Sequence, residues 1–212
     1  MWPDSHETQE LLQQAKAGDR AAIDRLLERH RDALRKMIEL RMDQQIERRV
    51  DASDIVQDVL IDANRRLTDY LGSPDLPFHL WLRHMAKDRL IDAHRRHRSA
   101  ARRSVNREQS LNTASYADES ALDLAARLSD NRELTPATAA TQRELQSRFR
   151  AAVEQLDEHD REVILMRHFE HLSNQEVARA LDISEPTAGM RYLRAVRRLR
   201  KLLNPDADES SP

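Results

Sequence analysis

The sequence predicts an all-α protein of two small helical domains joined by a flexible acidic linker. Three observations carry that expectation. Glycine occurs only 3 times and aromatic residues make up 4% of the chain, against 34% charged residues, a balance that suits helices with narrow apolar stripes better than a β-rich fold. Apolar residues recur at helical spacing over two long stretches, residues 7–103 and 141–203. Between them, 104–140 runs to Ser, Thr, Asn and Ala with more acids than arginines, too little apolar surface for a core of its own.

Taken in order, Leu11, Leu12 and Ala15 begin the first stretch. After "AGD", the residues Ala22, Ile23, Leu26, Leu27, His30, Leu34, Met37, Ile38 and Met42 trace a long amphipathic stripe. A second helix follows Asp51 or Ser53 as cap, with Ile55, Val56, Val59, Leu60, Ala63 and Leu67 inward. "GSPDLP" ends it, and a third helix runs from Phe78 to beyond His94. In the linker only "SALDLAARL" can form a short helix. Periodicity resumes with Leu145, Phe149, Val153 and Leu156, continues through Val163, Ile164, Leu165 and Phe169, and ends near Leu203, leaving 204–212 as a disordered tail.

Several functional classes are excluded or disfavoured. Without cysteine there is no disulfide framework, thiol nucleophile or thiolate metal site. The polar, acidic start "MWPDSHETQE" lacks the pattern of a signal peptide. No window approaches the roughly 20 apolar residues a membrane span needs, so a soluble cytoplasmic protein is expected. There is no Gly-rich phosphate loop and no nucleophile motif. His94 with His97, and His168 with His171, lie at i, i+3 without a third ligand and read as surface histidines. The expectation is therefore no enzyme activity, no cofactor and no metal.

The net charge is −2, yet cations are concentrated. Residues 83–103 hold eight Arg or Lys against two Asp, and 190–203 hold six against no acid. Local field rather than net charge attracts phosphates, so two basic patches point to nucleic acid.

The second patch has the architecture to read a duplex. Ser173 can cap a short helix over 174–181, Asp182 and Ile183 form a turn, and Ser184 caps a further helix that has Glu185 and Pro186 in its first turn. Ala188, Tyr192, Ala195 and Leu199 form one buried stripe, leaving arginines on the remaining surface. A positioning helix, a turn and a capped basic helix are the parts of a helix-turn-helix.

These residues also resemble region 4 of bacterial sigma factors. The likeness rests on Leu156, Arg161, Leu165, Leu172, Ser173, Glu176, Val177, Ala178, Leu181, Ile183, Ser184, Thr187, Arg191, Arg194, Ala195 and Leu199. It implies minus-35 recognition by Ser184, Glu185, Pro186, Thr187, Gly189, Met190, Arg191, Arg194 and Arg198. Gly189 departs from the Lys or Arg frequent in that family. Either the backbone approaches DNA closely there, or a base contact has been given up.

The N-terminal stretch "DASDIVQDVLIDA" is similar to sigma region 2.2, which docks on the coiled coil of the polymerase β′ subunit. The resemblance assigns docking to Asp54, Ile55, Gln57 and Asp58, with Asp54, Gln57 and Asp58 sharing an exposed face at i, i+3, i+4 and Ile55 packing inward. "FHLWLRHMAKDRLIDAHRRHRSAARR" resembles regions 2.3 and 2.4 through Phe78, Trp81, Leu82, Ala86, Asp92 and Arg95. That implies capture of unstacked minus-10 bases by the helix and the segment Tyr70 to Pro77 before it. Tyr70, Trp81, Arg83, Lys87, Asp88, Arg95, Arg96 and Arg98 are the residues concerned, supplying stacking surface and cations. Trp81 reads equally as core. Asp88 stands where the family commonly has Asn, an anion facing phosphates unless Lys87 or Arg95 neutralises it.

Both resemblances in this order, with a linker in place of an intervening domain, match the extracytoplasmic function (ECF) group of sigma factors. The implied partners are core RNA polymerase (its β′ coiled coil with region 2 and its β flap with region 4), promoter DNA and, as in part of that group, an anti-sigma factor. On this reading 7–103 is the region 2-like domain, 104–140 the flexible linker and 141–203 the region 4-like domain. The alternative is a stand-alone helix-turn-helix regulator whose N-terminal domain senses a ligand or dimerises. That protein would bind specific duplex without polymerase.

Overall fold

In the computed structural model, the structure describes residues 2–42, 50–101, 119–128 and 139–204. For 97–101, 119–121, 139–140 and 142 it describes the backbone alone. The expected tail after Asn204, and the expected linker apart from 119–128 and its last residues, lie outside the described residues. Among the described residues the regular structure is all helical, as the scarcity of glycine and the 3.6-residue periodicity predict. The chain divides into two compact units, Met1–Ala114 and Ser115–Pro212.

The first unit contains α1 (Ser5–Lys16), α2 (Arg20–Glu39), α3 (Ala52–Gly72) and α4 (Phe78–Ala101). Each of the first three starts on an aspartate whose carboxylate accepts from backbone N–H groups of the first turn: Asp4, Asp19 and Asp51. Such caps contribute about 1 kcal/mol each. Asp51, rather than Ser53, is the cap of α3. Gly18, at φ 94°, makes the turn between α1 and α2, where a side chain would be strained. The helices close on a shared core that includes Leu26, Leu34, Ile38, Val59, Ala63, Leu67, Leu82 and Ala86.

The second unit contains α5 (Glu119–Leu128), α6 (Ala139–Glu154), α7 (Glu158–Ile164), α8 (Asn174–Leu181) and α9 (Glu185–Leu203). A π-helical turn, Leu165–Phe169, extends α7. It ends where His171 takes a left-handed conformation, and the Leu172 N–H returns to the Met166 carbonyl at 2.9 Å. Buried Leu145, Phe149, Val153, Ile164, Phe169, Val177, Ala188, Ala195 and Leu199 form its interior. α9 packs on α5, α6, α7 and α8.

α5 lies inside the segment expected as linker, and it is docked. Leu124 and Ala125 are buried, the helix packs on α6, α9 and the π-turn, and the Asn204 side chain donates to the Leu128 carbonyl at 2.8 Å. Two buried apolar side chains are too few for a core but enough to extend one that already exists.

Candidate nucleic-acid and polymerase interfaces

The helix-turn-helix is built by local rules. Ser173 and Glu176 form a reciprocal capping box at the start of α8: the Glu176 N–H donates to Ser173 Oγ at 3.2 Å, and the Ser173 N–H to Glu176 Oε2 at 2.7 Å. At the other end Asp182 adopts a left-handed conformation (φ 52°, ψ 49°), which Asp tolerates better than most side chains. The Ile183 N–H then returns to the Ala178 carbonyl at 3.0 Å. Ser184 caps α9 by accepting from the Thr187 N–H at 3.3 Å. Across the motif, Asn174 Nδ2 donates to the Glu185 carbonyl at 2.9 Å, tying the two helix starts together.

Ser184, Glu185, Pro186, Thr187, Met190, Arg194 and Arg198 are exposed on this motif, with Gly189 and Arg191 partly so. Gly189 is not imposed by packing within the chain. A Cβ there would meet only the Asn174 side chain, at 3.6 Å and 3.9 Å, which is ordinary contact, and its φ is not left-handed.

The arginines of α9 are not equivalent. Arg194 was expected on the outer face as a DNA contact, but its guanidinium is engaged by the chain itself. Its Nη2 donates to Asp160 Oδ1 at 2.6 Å, and its Nε lies 3.1 Å from both carboxylate oxygens. Asp160 is only 1% exposed at its side chain, and a carboxylate so buried requires a cation or several donors. Arg198 lies 3.6 Å from Asp157 in a solvated pair, of little energetic weight. Asp157 caps α7, and the Asp160 N–H donating to it holds its carboxyl below the usual range. Arg191 and Arg197 have no ion-pair partner among the described residues.

The clamp partner was missed in the sequence, although a signal existed. Asp160 shares a helix face with Val163 and Ile164, at i, i+3, i+4, and an acid on an apolar face demands a partner. His168, read as a surface histidine, is half-buried: its Nε2 lies 3.0 Å from the Tyr192 hydroxyl, and burial, aided by Arg167, pushes its pKa down to about 4. Arg167 also sits 5.5 Å above the Tyr192 ring.

In the first unit, α3 presents Asp54, Gln57 and Asp58 to solvent while Ile55 is buried at its base. Ile55 therefore supports that face from beneath. On α4, Lys87, Asp88, Arg95 and Arg96 are exposed. Asp88 forms no ion pair among the described residues, so neither Lys87 nor Arg95 neutralises it directly. Arg98 is part of α4, but its side chain lies outside the described residues, as does that of His97.

Two expected surface residues prove internal. Arg83, expected as a phosphate contact, is fully buried. It falls at i+3 from Leu80 and i−3 from Ala86, on the stripe α4 turns inward, so its charge is unavailable to DNA. Tyr70 is the last full turn of α3 rather than part of a loop, and it too is buried. Its ring stacks on Trp81 (centroids 4.7 Å apart, 29° between planes) and meets Phe78 edge-on at 5.5 Å. Its hydroxyl donates to the Leu76 carbonyl at 2.9 Å, fixing the short segment that leads into α4, and burial raises its pKa to about 12. Trp81 remains half-buried, one face against Tyr70.

Among the described residues, no group of three or more His, Cys, Asp or Glu could hold a metal ion, and no helix is long and apolar enough to cross a membrane.

Residues 146–199 match the family model for sigma-70, region 4. Over 202 residues the chain is 25% identical to the RNA polymerase sigma-H factor of Pseudomonas aeruginosa, covering 94% of this chain and 95% of that protein. Among solved structures, CnrH, seen in complex with the cytosolic domain of CnrY, superposes with a TM-score of 0.58 at 26% identity, covering 94% of this chain and 99% of CnrH. The sigma factor RpoE of Bartonella quintana, in complex with the anti-sigma factor NepR, shares the fold (TM-score 0.54, 20% identity, 86% and 97% covered). The likeness to sigma factors runs the length of both units, which a stand-alone regulator carrying only the C-terminal motif would not show. With its region 4 match in the second unit, the chain is similar over both units to RNA polymerase sigma factors of the extracytoplasmic function type.

Proposed function

We propose a division of labour between the units. The first docks core polymerase through Asp54, Gln57 and Asp58 and engages the minus-10 element through Trp81 and the exposed side chains of α4. The second meets the β flap and reads the minus-35 element with the start of α9, assisted by Arg191 and Arg197. Arg83 lies inside the first unit, and Arg194, though exposed, braces α9 against α7 through buried Asp160. The observation that carries this reading is the capped, tied helix-turn-helix, whose second helix leaves Ser184 to Thr187 and Met190 exposed at its N-terminal end. A protein of this kind acts in the cytoplasm and does no chemistry of its own: it positions polymerase.

As CnrH is found with the cytosolic domain of CnrY, a regulatory protein that occludes these surfaces is proposed for this chain too.

The test is reconstitution with purified core polymerase on a genomic promoter library, read by run-off transcription. Promoter-specific initiation that depends on the chain is the expected outcome. Uniform or absent initiation with cognate core rejects the reading.

A further inference from the structure

The buried stripe of α9 runs along Ala188, Ala195, Leu199 and Leu203. At 3.6 residues per turn, the position in the helix's first half almost diametrically opposite that stripe is Met190. Its exposure is 64%, and that of Leu193, one turn further, is 47%. They are two of only four exposed large hydrophobic residues among the described residues, the others being Ile61 and Ile91 in the first unit. Exposed Pro186, one turn before Met190, continues the strip. The start of this helix thus offers hydrocarbon where a DNA-reading helix often offers guanidinium.

The surrounding cations leave that position to hydrocarbon: Arg191, unpaired among the described residues, projects about 100° around the helix from Met190, and Arg197 lies about two turns further on. Gly189 adds no side chain beside Met190, and Arg194 is bound to buried Asp160. Arg198 lies two turns further on and is paired with Asp157. A guanine presents two acceptors in the major groove and is read best by a bidentate cation; the hydrocarbon feature on that edge of a base pair is the C5-methyl of thymine.

We propose that Met190, flanked by Pro186 and Leu193, is a specificity-determining residue that packs on thymine C5-methyl groups of the upstream promoter element. The inference rests on the reading of α9 as the minus-35 helix and names the base feature it recognises. The flexible thioether side chain of Met suits a contact shared between neighbouring methyls. Gly189 then leaves room beside it for the base edge.

The experiment uses holoenzyme assembled from the full chain and core polymerase. The upstream element is first selected from promoter duplexes randomised at that site. Each thymine of the selected element is then replaced in turn by 2′-deoxyuridine, which removes the methyl and nothing else. At one or two positions the replacement weakens binding about fourfold, the effect of one buried methylene-sized group. Holoenzyme carrying Met190→Ala, a change at an exposed position that leaves thermal unfolding unaltered, shows no response to the same replacement. A selected element without thymine, equal binding of uracil and thymine duplexes at every position, or undiminished methyl sensitivity in Met190→Ala each overturns the proposal. If no sequence is enriched and run-off is also absent, the reading of α9 as the minus-35 helix falls with it.

Discussion

Buried charge in this protein is placed where it fixes one element against another. Asp160 and Arg194 join the start of α7 to the middle of α9, and removing one partner strands the other. Arg194→Met leaves a buried carboxylate without its cation and lowers the stability of the second unit by about 2 kcal/mol, less than for breaking a fully buried pair because Arg194 is itself solvated. The double variant Asp160→Asn, Arg194→Met recovers part of that loss, which urea unfolding measures as a coupling energy. A phosphate contact behaves otherwise: its loss reduces the salt slope of DNA binding by about one, whereas Arg194→Met leaves the slope unchanged. Histidine gives a second prediction. His30 Nδ1 lies 2.8 Å from the Leu26 carbonyl, so that nitrogen carries the proton of the neutral ring. Its Nε2 is buried with no partner among the described residues, and the ring meets Phe78 edge-on at 5.0 Å and lies 6.3 Å from that of Trp2. Burial pushes its pKa down to about 4, with His79 and Arg29 acting in the same direction. The unfolded chain therefore binds the proton more readily than the folded one. The stability this neutral ring contributes is fully present above about pH 6.5 and falls as pH drops from there toward about 4, by on the order of 2 kcal/mol. His30→Gln flattens that part of the pH dependence of the first unit's unfolding midpoint.

Among the elements, α5 is the one whose role the sequence conceals. Its stretch is short and flanked by polar residues, and only Leu124 and Ala125 go inside. Pattern alone does not tell a helix that packs on a neighbouring surface from one that forms transiently. Leu124→Asp places a charge in that contact. It is expected to make 119–128 sensitive to limited proteolysis and fast in hydrogen exchange while α6 to α9 keep their protection; equal protection of α5 in the variant would show that the docking does not depend on Leu124. Other elements were legible because their signals are local. Asp19, Asp51, Ser173 and Ser184 cap as their residue types predict, and the stripes of α2, α3 and α9 follow the periodicity, except that Ile23 and Tyr192 are only partly buried. What remained hidden depends on partners far along the chain. Arg83 reads as one of eight cations in a patch until Leu80 and Ala86 are seen to share its face. Arg194 reads as an outward arginine until Asp160, 34 residues away, is found against it.

For the whole molecule, the proposed function has each unit contact polymerase and promoter, through exposed residues on α3, α4 and α9. Because Asp54 and Asp58 are exposed and form no part of the core, the double reversal Asp54→Lys, Asp58→Lys changes a surface without unfolding it. Pull-down of core polymerase is expected to fall at least tenfold with the circular-dichroism melt unchanged; undiminished capture would remove α3 as the docking face. The buried acid of α7 has a further consequence at this scale. Non-specific affinity for DNA grows with the number of phosphates a protein neutralises, and a genome offers millions of competing sites. By holding Arg194 against buried Asp160, the second unit withholds a cation from that competition. On the proposed function, the free protein is thus less readily sequestered along chromosomal DNA, and more of it stays available to core enzyme.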